Sequence, residues 1–308
     1  MVAENRVQWG IALPQFFPEG SVDMGLVRQF VAKAEVLGYH SLWVGEQIVG
    51  DVPSLEPVSL LCYAAALTTM YLGTSVLLTP LRNPVQLAKS LGSLDQMAGG
   101  RLIVGVGLGG RVALYPAFGV PSERRVRRFV EGLRVMKTLW TEPVAHYQGD
   151  FWHLEGTEME PKPVHQPRPP IWFGARHPQA VQRAVRLGDG WMGAGSSTTE
   201  EFREAVALLR ATLEQQGRDP ATFTIAKRVY LAIDSDRARA ERRLQEWFGR
   251  RYKNAAMASQ VSVWGNTEEC IEGIGQVIAA GAQLVLLNPA FDHLEHVETL
   301  AKEIIPRV

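Results

Sequence analysis

The chain is expected to fold as a single α/β barrel of the TIM type, with eight parallel strands and helices packed outside them. Three observations carry that expectation. Short β-branched apolar runs alternate with amphipathic helical patterns along all 308 residues. The stretch from Leu72 to Gly109 reads as strand, helix, strand, the unit of a parallel sheet. No G-x-G-x-x-G follows the first strand, as the main rival, a doubly wound dinucleotide fold, would need. Barrels of this size often form one domain, so residues 1–308 are read as one.

The elements follow in order. Residues 7–14 (VQWGIALP) form the first strand. Residues 23–37 carry a helical stripe of Met24, Val27, Phe30, Val31 and Ala34, which Gly38 ends. Residues 41–45 (SLWVG) are the second strand, and a Leu- and Ala-rich helix covers 57–70. Strands three (LGTSVLLTP) and four (RLIVGVGLG) bracket a helix that opens at Asn83-Pro84 and closes at Gly99-Gly100. Asn before Pro starts helices, and paired glycines stop them. Ser122 begins the next helix, with Phe129, Val130, Leu133, Val135, Met136 and Leu139 on its apolar side.

The rhythm breaks over 142–170, an insertion after strand four. There YQGDFWHL reads as a hairpin around Gly-Asp, and EPKPVHQPRPP as a proline-rich loop. Alternation resumes with a strand at 171–174, a helix at 178–187, a strand at 191–193 and a helix at 199–216. After strand seven (223–233) comes a second insertion, 234–266, with a charged helix from Asp236 to about Arg250. A helix at 267–280, the last strand at 283–288 and a helix at 294–305 complete the chain.

Composition narrows the function. Lys plus Arg and Asp plus Glu both number 32, so a basic nucleic-acid footprint is absent from the chain as a whole. Cys62 and Cys270 fall in helical patterns without metal-ligand spacing, which argues against a disulfide framework or a metal site. The start lacks the pattern of a signal peptide, and no apolar run approaches the ~20 residues of a membrane span. A cytoplasmic protein is the expectation. Its site is expected at the strand ends. Ser75, Thr79, Gly105, Gly107 and Gly109 leave small or hydroxyl-bearing positions where a flat cofactor can lie against backbone.

Five segments carry a resemblance: AEVLGYHSLWVGE (34–46), LGTSVLLTPLRNPVQLAKSLGSLDQMAGGRLIVGVGLG (72–109), EGLRVMKTLWTEPVAHYQGDFWHLE (131–155), PKPVHQPRPPIWFGA (161–175) and VQRAVRLGDGWM (181–192). In this order they resemble the bacterial luciferase-like oxidoreductases, and the coenzyme F420-dependent branch more than the FMN monooxygenases. The resemblance implies a flavin or deazaflavin ring in the barrel mouth, hydride or oxygen chemistry there, and frequently a homodimer. It implies a bulge on strand three, often with a non-proline cis peptide, at Ser75 and Val76. Three functions are carried forward: an F420-dependent hydride-transferring oxidoreductase, an FMN-dependent monooxygenase, and a non-catalytic flavin-binding protein.

Beside the resemblance, individual residues take candidate roles. The run Gly105 to Gly110, including Leu108, borders the ring or its ribityl chain. The loops Gly174-Ala175-Arg176 and Gly193-Ala194-Gly195-Ser196 end strands five and six before helices, and are the candidates for the cofactor phosphate. Glu46 either positions the ring, takes a proton or anchors a loop. Gln47 stands where related dehydrogenases carry a histidine; it hydrogen-bonds but exchanges no proton near neutral pH. The glutamate that some relatives place after strand four is replaced by Gly109-Gly110-Arg111. Gln15, Phe16 and Tyr115 are weaker candidates for substrate contact. Arginines at 124, 125, 127 and 128, and at 237, 239, 242, 243, 250 and 251, read as solvated helix faces or as partners for an oligoglutamate cofactor tail.

Overall fold

The computed structural model describes residues 7–18, 20–110 and 112–308. Arg111, named above, lies outside them. Eight strands close a parallel barrel: β1 (Gln8–Ala12), β2 (Ser41–Val44), β3 (Tyr71–Thr74), β4 (Leu102–Gly107), β5 (Ile171–Gly174), β6 (Gly190–Gly193), β7 (Thr224–Ile233) and β8 (Leu284–Pro289). Each pairs with the next, and β8 returns to β1 with Gln8 opposite Leu284. The fold class read from the sequence is the one observed.

Local chemistry sets most boundaries. Asp23 caps the helix Met24–Val36 by accepting from Leu26 N at 2.9 Å. Asn83 caps Pro84–Met97, and Gly99 and Gly100 end it at φ 62° and 81°, conformations that favour glycine. Two helices are shorter than their patterns. The one expected over 57–70 spans Pro57–Ala65, because the chain must turn before β3. The one expected from Ser122 starts at Arg125, since Arg124 takes φ 55° and pairs with Asp150.

The hairpin Ala145–Gln148 with His153–Thr157 lies within 142–170. A short strand, Val263–Gly265, extends the sheet beyond β7 and was not foreseen.

The family-like motifs contribute fixings as well as a site. Asp95, from SLDQMAGGRL, is fully buried and accepts from His165 N at 2.9 Å, tying the proline-rich loop to the barrel. Asp189, from RLGDGW, accepts from Ile171 N at 2.8 Å and is gripped by both ends of the Arg168 guanidinium. Burial alone raises its carboxyl pKa, but Arg168 and the Ile171 N–H bring it below the usual range.

The lower interior of the barrel is plugged. Trp43 and Trp172 sit 5.4 Å apart among Ala12, Ile103, Met192 and Leu286. Glycines opposite make room: a Cβ on Gly73 would lie 2.3 Å from Trp43, and one on Gly190 2.7 Å from Trp172. The space above this plug, at the C-terminal ends of the strands, is where barrels place their sites.

Candidate cofactor site at the barrel mouth

Strand three breaks above Thr74. Gly73 faces Ile103, but Leu77 faces Val106, so four steps on one strand oppose three on the other. That one extra residue is a β-bulge, which re-aims the chain next to a site. The Ser75–Val76 peptide is cis. Thr74 bridges the gap in the ladder: its hydroxyl accepts from Gly105 N and donates to Gly105 O, both at 2.8 Å.

Glycines that the sequence suggested for cofactor approach turn out to accommodate this bulge. A Cβ on Gly105 would lie 1.8 Å from Thr74 O; on Gly107 and Gly174 it would meet the Val76 side chain at 2.7 and 2.9 Å. Arg228 on β7 supports the bulge from across the barrel. Its Nη1 donates to Ser75 O at 2.8 Å, and its Nε donates to Asn288 Oδ1 at 2.8 Å.

Above the bulge opens a cavity of about 700 Å³, within the range of small-molecule sites. Glu46, Gln47, Ser75, Val76, Gly107, Leu108, Gly109 and Tyr115 line it, as do Gly174, Ala175, Arg176, Ala194, Gly195 and Ser196. Thr79, Gly105 and Gly193 sit behind that surface, with Gly193 packed on Phe202 and Thr79 buried without a hydroxyl partner.

Of the roles open to Glu46, the geometry shows an anchor. Its side chain is 1% exposed, accepts from Leu78 N just past the bulge, and pairs with Arg82, whose Nε donates at 2.9 Å. Burial outweighs Arg82 and pushes its pKa up. Gln47 differs. Its Oε1 is buried at the cavity wall with no protein partner. Such an orphaned acceptor fits a ligand N–H or hydroxyl.

The weaker candidates have other tasks. The Gln15 amide joins backbone: Nε2 donates to Gly45 O and Leu55 O, and Oε1 accepts from Gly45 N. Phe16 packs edge-on against Trp247, outside the large cavity. Tyr115 is 1% exposed and donates to Leu108 O at 3.0 Å, with burial raising its pKa, so it is no ready acid.

The two phosphate-loop candidates are not alike. The helix Thr199–Gln215 after β6 begins with a capping box, in which Glu201 N donates to Thr198 and the Glu201 carboxylate returns to Thr198 N. That carboxylate also pairs with Arg176 at 3.0 Å. The helix Pro178–Leu187 after β5 begins at His177 with no side-chain cap. Arg183 on this helix, and Arg125 at the start of Arg125–Thr141, line the cavity without an ion-pair partner among the described residues.

Most other arginines of the two rich faces are occupied: Arg124 and Arg127 by Asp150, Arg237 by Glu269, Arg239 by Asp234, Arg243 by Asp292.

Sequence reasoning missed Arg228, Tyr230 and Tyr252. The tyrosines line the cavity and hydrogen-bond each other through their hydroxyls. Their signal was available: Arg228 and Tyr230 are two apart on an apolar strand and therefore share its inner face. Among the described residues, no group of His, Cys, Asp or Glu could hold a metal, and no helix is long and apolar enough to cross a membrane.

Comparison with known proteins agrees with this geometry. An F420-dependent glucose-6-phosphate dehydrogenase of Kineococcus radiotolerans is 31% identical over 234 residues, covering 72% of this chain and 68% of its own. The oxygenase component of a flavin-dependent trigonelline monooxygenase of Acinetobacter baylyi is 29% identical, covering 60% of this chain and 57% of its own. An F420-dependent secondary alcohol dehydrogenase, solved with an F420–acetone adduct, superposes with a TM-score of 0.85 over 98% of this chain and 99% of that one. At 21% identity that likeness concerns the fold. A profile described as luciferase-like monooxygenase matches residues 10–284, and the chain belongs to that family.

Proposed function

We propose that the protein is a coenzyme F420-dependent oxidoreductase that moves hydride between the deazaflavin and a small organic substrate. The observation that carries this reading is the bulged Ser75–Val76 segment beneath a cavity of about 700 Å³. The F420-dependent relative favours the deazaflavin over FMN.

The residues present fit the cofactor. The bulge offers its backbone to one face of a flat ring. Gln47 Oε1 needs a donor. The uncapped helix start at His177, in a cavity that Arg125 and Arg183 also line, suits a phosphate better than the start already held by Glu201. When bound, the deazaflavin supplies or accepts the hydride. The protein positions and moves protons. With glutamine at 47, the assigned proton carrier is the Tyr252 hydroxyl, which Tyr230 orients. Burial raises the Tyr230 pKa and keeps that phenol protonated as a partner.

Titrating the purified protein with F420 and with FMN tests the reading by absorbance and fluorescence. Micromolar F420 binding with little for FMN is expected; the reverse order moves the protein to the FMN monooxygenases. That second reading draws on the flavin-dependent relative and on the absent histidine. A cofactor carrier would bind F420 yet turn over no donor or acceptor in a substrate panel.

A further inference from the structure

We infer that the substrate carries an oxyanion group, carboxylate or phosphate, and that Arg228 and Arg251 receive it at the β7 side of the cavity. This rests on the reading of the cavity as an oxidoreductase site. Both guanidinium groups line that cavity.

Arg228 bonds only neutral acceptors, Ser75 O and Asn288 Oδ1. Arg251 reaches Glu46 O at 3.3 Å and lies over the rings of Phe16 and Tyr252, 5.5 and 5.6 Å from their centroids. Neither has a carboxylate partner among the described residues. Glu46 lines the same cavity, but its carboxylate oxygens are held by Arg82 and Leu78 N.

On the same insertion, Arg237, Arg239 and Arg243 are all ion-paired. Two half-buried cations left unpaired in a concave site cost free energy, which an arriving anion offsets through charge-assisted hydrogen bonds. They border the Tyr230–Tyr252 pair and come from different elements than Arg125 and Arg183, the cavity's other arginines without an ion-pair partner among the described residues. The cavity therefore has two cationic regions. One suits the cofactor phosphate, and the other is left for the substrate.

The test is calorimetric titration of the whole protein, with and without F420, using benzoate, phenyl phosphate and the neutral benzamide. Either anion should bind about tenfold or more tightly than benzamide, the scale of one charge-assisted contact. Arg251→Met should remove that preference and leave benzamide binding unchanged. Arg251→Lys should restore part of it, and Arg183→Met should keep it in the F420-loaded protein, where the cofactor already occupies the Arg183 side. If Arg251→Met loses its thermal transition, Arg251→Gln provides the same comparison.

Equal binding of anions and benzamide overturns the inference. So does a preference that disappears with Arg183→Met but survives Arg251→Met. Failure of the functional reading shows separately, as absent F420 binding with the anion preference intact.

Discussion

Glycine opens space in both halves of the barrel interior, but different groups fill it. In the lower half, Gly10, Gly73 and Gly190 admit the indoles of Trp43 and Trp172, and the barrel is sealed. In the upper half, Gly105, Gly107 and Gly174 admit a bent piece of main chain, Thr74 to Val76, and the space above stays open. Side chains that fill a glycine gap make a core. Backbone that fills one makes a platform whose polar groups and curvature are available to a ligand.

The most damaging way to break this contrast is Gly105→Ala. Its methyl would fall 1.8 Å from Thr74 O, a backbone atom with no rotamer to escape into. A loss of about 3 kcal/mol or more is expected, with cofactor affinity lost as well, by thermal unfolding and titration. Gly110→Ala, with nothing within 4 Å, is the matched control and should change stability by less than about 0.5 kcal/mol.

Gly73→Ala should cost about 1–3 kcal/mol by displacing Trp43, yet folded protein should bind cofactor normally. If its cofactor affinity falls as far as that of Gly105→Ala, the two halves are not distinct. Thr74→Val comes next. It leaves Gly105 N and O without their bridge, and about 1–3 kcal/mol should disappear from chemical denaturation curves.

A last test sharpens the contrast through pH. Lys227 holds the mouth loop after β6 by donating to Ala194 O, Ser197 O and Ser197 Oγ. Burial pushes its pKa from 10.5 down to about 7. Between those values the unfolded chain carries a proton that the folded chain lacks, so stability should rise with pH through that window. Lys227→Met should flatten that slope in denaturation measured from pH 6 to 10. An unchanged slope would assign the pH response to other groups.

Legibility followed the range of the chemistry. Helix starts at Asp23 and Asn83 and the stop at Gly99-Gly100 were readable because caps act within a few residues. The start at Arg125 was not, since an arginine at φ 55° announces nothing locally. Ser75 was marked by pattern as a hydroxyl-bearing strand-end position, but the bulge at Ser75 and Val76 was located by resemblance. The sequence also marked where glycine leaves a gap without telling what fills it, so Gly105 was assigned to the ligand when Thr74 claims it. Arg228 acts on Ser75, 153 positions away, and only closure of the barrel brings them together. Gln15 misled for a related reason: an amide at a strand end suits a ligand, but three backbone partners had already engaged it.

The tryptophan pair beneath the site has an optical consequence. Trp43 and Trp172 lie under the platform, shielded from solvent, and their emission overlaps the absorption of flavin-like chromophores. Any such chromophore settling above them should drain their excited state by resonance energy transfer. Occupancy then becomes readable as a loss of ultraviolet fluorescence, and the indoles that seal the barrel double as its indicator.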